Sequence, residues 1–443
     1  MSDTHSKSPT FKALFATFGR IGLVNFGGPA GQIALMHRVL VEEQAWVGEE
    51  EYLRALNFCT LLPGPEAQQL ATYVGWKLHG LKGGLTAGLL FIAPGAVVVL
   101  ALTILYAYAA DLRPVAAAFL GVKAAVLALV LEALLRVARR ALNAPVKLAI
   151  AAAAFAALFL FNLPFPLVVL GAGGVGFWVA SRAPQALRLK PSAAPSPALA
   201  PARTLIVPTL KTIAIWGGLW AAPMLVILAT LGPSHVLFQI GAFFARLAAV
   251  TFGGAYAVLA YMAQEAVNTH GWLKPGEMVD GLGLAETTPG PLILVTEYVG
   301  FLAAFRTPAP FAPLAAGLIG AALTLWMTFT PCFLWIFVGA PFMERLEHAR
   351  RLQGALAAIT AAVVGVIANL TVWFALHVLF HRFAVARIGP VALSLPDLTS
   401  LDWRPAALSA VAALCLFRLH AGVLRTLGVS IVLGLGLFAL KLV

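Results

Sequence analysis

The residues best suited to chemistry are polar side chains inside apolar segments. The stretch FCTLLPGPEAQQLATYVGW, residues 58–76, carries Glu66, Gln68 and Gln69 directly after two prolines. A carboxyl in such a place could carry protons or pair with an arginine, and the amides are its neutral partners. Proline breaks a helix interior, so Pro63-Gly64-Pro65 predicts two short helices. The free backbone N–H groups at the start of the second could bind an anion, whereas a kink at the membrane interface would have no such role.

A second copy of this pattern strengthens the functional interpretation. Pro289-Gly290-Pro291 follows Pro63-Gly64-Pro65 by 226 positions (289 − 63 = 226), and Phe252-Gly253-Gly254 follows Phe26-Gly27-Gly28 by the same number. The repeat indicates a tandem duplication. Paired apolar segments that Gly and Pro interrupt at equivalent places in two halves are typical of the binding site of a secondary transporter.

Further ionisable residues lie at depth, where charge is costly and a functional role is the default hypothesis. Arg20 and Arg246 each stand six residues before a Phe-Gly-Gly. Their guanidinium groups could capture an anion or extend to the membrane interface. The candidate proton carriers are Glu66, Glu286, Glu297 and His37.

The composition places these residues in a membrane. Hydrophobic residues make up 61% of the 443 and charged residues 11%, against about 25% charged in a soluble domain. We therefore predict an all-α polytopic membrane protein. The net charge of +12 does not indicate nucleic-acid binding, because the basic residues cluster at the ends of apolar spans. The three cysteines have no metal-site spacing, no P-loop is present, and no cleavable leader is visible.

The duplication and the charges predict an inverted repeat. Residues 1–182 form the first repeat, 183–235 a linker with one unmatched span, and 236–443 the second repeat. Arg136, Arg139 and Arg140 mark a cytoplasmic side, and the unmatched span reverses the second half. The prediction is about 13 spans with the N-terminus cytoplasmic and the C-terminus outside. Whether the Phe-Gly-Gly and Pro-Gly-Pro elements cross or are re-entrant is left open, and the count falls if they are re-entrant.

The motifs FGGPAGQIALM and FCTLLPGPEAQQLATYVGW, with FGGAYAVL and ETTPGPLILVTEYVGF in the second half, closely resemble the chromate ion transporter family in its long, two-domain form. The resemblance covers nearly the whole chain. It implies a transporter, not an enzyme, that exports chromate across the bacterial cytoplasmic membrane, driven by the proton-motive force, with sulfate as the related oxyanion. It implies no cofactor, metal or nucleic acid, and it leaves a homo-oligomer open.

The resemblance gives functional weight to the first-half motif positions, and the second half departs from it, because Leu292 stands where the first half has Glu66. We therefore expect the first half to hold more of the substrate contacts. The candidate substrate-binding residues are Arg20, Asn25, Phe26, Gly27, Gly28, Pro29, Gln32, Pro63, Gly64, Pro65, Gln68, Gln69, Arg246, Phe252, Gly253, Gly254, Pro289, Gly290 and Pro291.

Two alternatives stay open at this point. Chromate and sulfate are both tetrahedral dianions, so the residue types also fit a transporter of sulfate or another oxyanion in either direction. An integral-membrane enzyme would need a metal-ligand cluster or a nucleophile–base pair, and neither is visible at a recognisable spacing.

Overall fold

The computed structural model describes residues 9–189, 202–250, 252, 255–343, 349–388 and 391–441. Within these ranges the chain forms sixteen α-helices and one antiparallel strand pair, so the predicted all-α class is confirmed. Residues up to 182 form α1 (Phe11–Leu23), α2 (Gly28–His37), α3 (Glu49–Leu61), α4 (Glu66–Ala109), α5 (Arg113–Ala141), α6 (Pro145–Phe159) and α7 (Phe165–Arg182).

The remaining helices are α8 (Ala202–Thr230), α9 (Val236–Val250), α10 (Ala255–Ala263), α11 (Pro275–Thr287), α12 (Val295–Arg306), α13 (Pro313–Gly339), α14 (Arg350–Leu379), α15 (Trp403–Ala413) and α16 (Val423–Ala439). Strand β1 (Phe383–Ile388) pairs with β2 (Val391–Pro396) between α14 and α15. Turns of π-helix extend α2 over Arg38–Glu43, α10 over Gln264–Thr269 and α15 over Leu414–Arg418.

Six helices in the described part of the chain are long and apolar enough to cross a bilayer. They are α4, α5, α7, residues Ile206–Thr230 of α8, Pro313–Phe342 and α14. Three shorter apolar helices, α6, α9 and α16, accompany them. Since the hydrocarbon core of a bilayer is about 30 Å thick, helices of 20 residues or more can span it. The protein is therefore a multi-pass membrane protein.

The helix boundaries follow the duplicated pattern of the sequence. Helices α3 and α11 begin at 49 and 275 and end at 61 and 287, so both limits differ by 226 (275 − 49 = 226). The π-helical turns at 38–43 and 264–269 keep the same offset. Helices α5 and α14 begin 237 positions apart (350 − 113 = 237). The β1–β2 hairpin has no counterpart among the described residues of the first half.

The Pro-Gly-Pro element of the first half turns the chain back on itself. Helix α4 is interrupted at His79 and Gly80, whose backbone angles are not helical, so residues 66–78 form a separate first arm. This arm runs back along α3: Lys77 forms a salt bridge with Glu51, and the rings of Phe58 and Tyr73 are 6.3 Å apart. In one straight helix, residues 58 and 73 would be about 22 Å apart. Residues 62–65 are therefore the tip of a helical hairpin.

The Phe-Gly-Gly element forms a second hairpin. Helix α1 has 13 residues, so it is about 20 Å long and too short to cross. At its start, the carbonyl of Pro9 hydrogen-bonds the His79 ring at 2.7 Å. At the end of α2, His37 bonds Glu49 at the start of α3 at 2.6 Å. Both hairpins thus share one base, the end opposite their tips.

The chain packs as two compact units, and each draws on both halves of the sequence. The first unit comprises Met1–Leu100, Pro191–Ala255 and Thr288–Arg350. The second comprises Ala101–Lys190, Tyr256–Thr287 and Arg351–Val443. The core of the first unit is built around buried aromatic side chains of the two hairpins and of α13, such as Phe18, Phe58 and Phe333. Both Pro-Gly-Pro tips belong to the first unit.

Candidate functional site

Three helix starts meet at one small cavity in the first unit. It is lined by Pro29, Gln32, Pro65, Glu66, Ala67, Pro291 and Leu292. These residues lie at or next to the starts of α2, of α4 and of the 3-10 turn Leu292–Leu294 that leads into α12. Helix N-termini carry partial positive charge and free N–H groups, so their convergence favours an anion. The cavity has a volume of about 10 Å³, which holds about one water molecule.

The second Pro-Gly-Pro tip is tied to the Phe-Gly-Gly hairpin through its backbone. The Gly290 N–H donates to the carbonyl of Asn25 at 2.8 Å. The Gln32 side chain donates from Nε2 to the carbonyl of Gly290 at 2.6 Å. Gly290 has a φ of +104°, a conformation that favours glycine, and Pro289 packs against Gly95 of α4. Segments that are more than 250 residues apart in sequence are therefore held together by two hydrogen bonds on one glycine.

The first Pro-Gly-Pro tip is held by side chains of the arm that follows it. Gln69 donates from Nε2 to the carbonyl of Pro63 at 2.7 Å, and Gln68 donates to Thr72 Oγ1 at 3.0 Å. Gly64 has a φ of +122° and lies against Cys332 of α13 and the Gln69 amide. The tip is a fixed turn rather than a loose loop.

Several amide atoms around the two first-half tips are buried without a hydrogen-bond partner. These atoms are Nδ2 and Oδ1 of Asn25, Oε1 of Gln68 and Oε1 of Gln69. The three residues are fully buried. An unpaired buried polar atom costs about 1–3 kcal/mol. Asn25 is the clearest case because neither of its side-chain atoms is used. A free amide N–H at this place can donate to an oxyanion.

The candidate proton carriers lie in different surroundings. Glu66 lines the cavity and is half-buried. Glu297, in the first turn of α12, is 1% exposed, and its Oε2 has no partner. Glu286, in the second unit, accepts a hydrogen bond from Tyr256 at 2.8 Å. His37 lies at the base of the hairpins, between Glu42 and Glu49, and joins α2 to α3 rather than facing the cavity.

The structure does not bring the two arginines into the cavity. Arg20 and Arg246 are both exposed, and Arg246 donates to the carbonyl of Ala242 on its own helix. Their placement fits side chains that extend towards an interface. Phe26 and Gly27 are also exposed, and Phe252 is half-buried. Gly253 and Gly254 lie outside the described residues.

Sequence reasoning missed two charged residues inside apolar helices. Asp280 of α11 is 3% exposed, and Lys123 of α5 lies 3.3 Å from it in the second unit. Lys123 stands in the middle of an apolar run, and that signal could have identified it in the same way as the acids.

Comparison with known proteins decides the family. The chromate transporter family model matches residues 12–177 and 238–439, which together cover most of the chain and correspond to its two halves. The chain belongs to the chromate transporter family. This is a family of transport proteins, not of enzymes, and the resemblance seen in the motifs is confirmed.

Several relatives align with most of this chain. A chromate transport protein of Pseudomonas aeruginosa is 32% identical over 371 residues, covering 82% of this chain and 80% of the relative. A chromate transport protein of Cupriavidus metallidurans is 27% identical over 363 residues, covering 82% of each. An uncharacterised transporter of Methanocaldococcus jannaschii is 25% identical over 374 residues, covering 84% of this chain and 86% of the relative. No solved structure gives a significant match.

Proposed function

We propose that this protein exports chromate across the bacterial cytoplasmic membrane and that the proton-motive force drives export. The observation that carries the proposal is the meeting of three helix N-termini at one cavity. Asn25, whose buried amide has no partner, is hydrogen-bonded through its backbone carbonyl to Gly290, next to the lining residue Pro291. A tetrahedral oxyanion needs several donors around it, and free N–H groups supply them without a bound cation. The names of the relatives in Pseudomonas and Cupriavidus support chromate as the anion.

The small size of the cavity supports the interpretation of this conformation as a closed state. A space for about one water is too small for a tetrahedral oxyanion. Substrate entry would therefore require the tips to separate. The hydrogen bonds from Gly290 to Asn25 and from Gln32 to Gly290 hold the second-half tip against the first-half hairpin, so they are the contacts that would break.

The directions of equivalent helices support the inverted repeat. The arm 66–78 runs from the cavity to the base, where Lys77 meets Glu51. Its counterpart α12 packs along α13, with Phe301 against Gly317 and Ala304 against Gly320. Further along α13, Phe337 faces Gly84, which lies four residues after Gly80 at the base. Helix α12 thus leads from the cavity away from the base, which is the relation expected of inverted halves that open alternately to the two sides.

Energetics favour export over uptake. Moving one charge across about 100 mV is worth about 2.3 kcal/mol, so a dianion leaving a negative-inside cell gains roughly 4.6 kcal/mol. Uptake of the dianion would cost the same free energy that export gains, and it would need co-transported cations. A proton entering per anion adds to the driving force of export.

Labelled chromate in membrane vesicles of both orientations tests the proposal. We expect energised everted vesicles to accumulate chromate in the lumen and a protonophore to abolish the accumulation. Accumulation in right-side-out vesicles that depends on energisation would make the protein an importer and overturn the direction.

Sulfate is the second candidate because helix N-termini and amides recognise charge and shape rather than the central atom. The same everted vesicles separate the two anions. If an equal concentration of sulfate leaves chromate uptake unchanged, the site distinguishes the two dianions. If sulfate competes and is itself accumulated, the protein is a broader oxyanion exporter.

A further inference from the structure

A buried cluster in the second unit brings together residues of α4, α5 and α11, none of which lines the cavity. Asp280 of α11 accepts a hydrogen bond on Oδ2 from the Tyr106 hydroxyl at 2.9 Å. The same oxygen lies 3.3 Å from Nζ of Lys123 on α5. The Asp280 side chain is 4% exposed and that of Lys123 28%. The other carboxylate oxygen, Oδ1, is buried and has no hydrogen-bond partner.

The repeat shows that the fold does not require this ion pair. The position equivalent to Asp280 in the first half is Arg54 (280 − 226 = 54), and the counterpart of Lys123 is Thr360 (360 − 123 = 237). Helices α3 and α11 form with the same limits although one carries arginine and the other aspartate at this position. Neither member of the Asp280–Lys123 pair is therefore retained at its counterpart position, so the pair is specific to the interface between α5 and α11.

The local packing makes room for the lysine. A Cβ atom on Gly276 would lie 3.3 Å from Lys123 Nζ, so the glycine leaves space for the ammonium group near the start of α11. About two turns further on, Gly283 packs against Val122 and Val126 of α5. Helices α5 and α11 therefore contact each other through glycines, with the ion pair between the two contact points.

We propose that Asp280 is a proton-binding site of this transporter and that Lys123 is its counter-charge. Both polar contacts fall on Oδ2, and Oδ1 is left for the proton. On binding, the carboxylate takes up one proton, its charge changes from −1 to 0, and the cluster changes from neutral to +1 while Lys123 keeps its own protons. This inference rests on the proposed function, in which the proton-motive force drives export, and it names a residue that would bind the proton.

The groups that act on Asp280 are few. Lys123 faces it from α5 and Tyr106 from α4, and Glu277 acts on it from its own helix. Helix α16 also packs against α11, and its one charged residue, Arg425, is exposed. Lys123 is thus the basic group acting on Asp280 within the described ranges. Uptake of a proton removes the attraction between the two helices that carry this pair.

Asp280 lies on the helix that leads directly into the second Pro-Gly-Pro tip, which borders the proposed anion site. Helix α11 ends at Thr287, two residues before Pro289, and Gly290 carries the hydrogen bonds to Asn25 and Gln32. A change in the attraction between α11 and α5 is therefore transmitted along the chain to the segment that closes the cavity. A proton that binds one conformation better than the other shifts the balance between them.

Two transport modes test the proposal in everted vesicles. Driven uptake uses an imposed pH gradient, and exchange uses labelled against unlabelled chromate with no gradient. In Asp280→Asn we expect driven uptake to fall about tenfold or more, in the range of coupling between sites, while exchange persists. Asp111→Asn, an exposed acid in the turn before α5, is the matched control and should retain both modes. Driven uptake and proton movement at wild-type level in Asp280→Asn would overturn the proposal.

A double variant separates coupling from a purely structural role. Replacing both partners of a buried ion pair by apolar residues often preserves stability. In Asp280→Leu with Lys123→Met we expect exchange to persist and driven uptake to stay lost. Recovery of driven uptake in this variant would mean that the pair is only a structural contact.

Infrared spectroscopy of the purified full-length chain tests the site without transport. A protonated carboxyl has a C=O stretch that a carboxylate lacks. We expect Asp280→Asn to remove one carboxyl band that titrates separately from the exposed acids, and Asp111→Asn to leave it. If the two variants remove the same acid-pH band, Asp280 is an ordinary carboxylate and the proposal fails. A wild-type protein that shows the band but exchanges no chromate would instead contradict the proposed substrate.

Discussion

At the scale of residues, the amide side chains around the tips divide into two groups. Gln32 and Gln69 each use Nε2 on a backbone carbonyl of a Pro-Gly-Pro tip, so they hold the turns in place. Asn25 uses neither of its side-chain atoms, although its backbone carbonyl accepts from Gly290. A buried amide of the first kind stabilises the protein, whereas one of the second kind costs free energy until a ligand binds.

Asn25→Leu and Gln69→Leu should therefore have opposite effects on stability. Leucine at 25 removes two unpaired buried atoms, so we expect the melting temperature in detergent to hold or rise while the apparent affinity for chromate falls. Leucine at 69 leaves the carbonyl of Pro63 unpaired, which costs about 1–3 kcal/mol, and should lower the melting temperature. A fall in melting temperature in Asn25→Leu, with affinity unchanged, would remove Asn25 from the binding site.

Gly64→Ala should damage the first Pro-Gly-Pro tip. Its φ of +122° is strained for alanine, and a Cβ atom would lie 2.8 Å from Cys332 Sγ and 2.9 Å from the Gln69 amide. We expect a loss of about 1–3 kcal/mol in stability, the usual cost of such backbone strain, together with loss of transport. Gly48→Ala is the matched control, because Gly48 has a φ of −71° and nothing within 4 Å of its Cβ position. Equal melting temperatures for the two variants would show that the tip is not a fixed turn.

At the scale of elements, the sequence predicted where the helices break but not whether the chain continues or turns back after each break. Proline and the paired glycines are local signals, and the breaks at 24–27 and 62–65 follow from them. Crossing or returning depends on contacts between separate helices, such as Lys77 with Glu51 and His37 with Glu49. Those contacts carry no signature in a single sequence. The partner of Gln32, a carbonyl 258 residues away, was equally beyond sequence reasoning.

We expect both first-half hairpins to be re-entrant, which places the loop between α2 and α3 on the same side as the N-terminus. Gln44 is exposed in this loop, and Asp111 is exposed between α4 and α5. The three native cysteines are buried, which simplifies labelling of added ones. We expect an impermeant thiol reagent outside intact cells to label Asp111→Cys and to spare Gln44→Cys, whereas everted vesicles should give the reverse. Labelling of Gln44→Cys from outside would mean that the first hairpin crosses the membrane.

At the scale of the whole molecule, the sequence halves and the compact units divide the chain differently. The duplication was predictable because the motifs and the helix limits keep constant offsets, as those of α3 and α11 do. The assignment of the arm 66–78 and α12 to one unit was not, because it depends on packing at α13. The Asp280–Lys123 pair escaped notice for the same reason: two charges 157 positions apart (280 − 123 = 157) become a pair only once α5 and α11 are packed.

An inverted repeat makes a sharp prediction about helices that are equivalent in sequence. Helix α5 begins at Arg113 and ends beside Arg139 and Arg140, whereas its counterpart α14 begins at Arg350. Inversion puts the end of α5 and the start of α14 on one side, and the positive-inside rule makes that side cytoplasmic. Cysteines at 140 and 350 should therefore be shielded from an impermeant reagent outside intact cells. Cysteines at 111 and at Leu398, which is 76% exposed after β2, should react. Parallel halves would expose one of the two arginine positions and shield Leu398→Cys, and alternating access through a reversed second half would then be wrong.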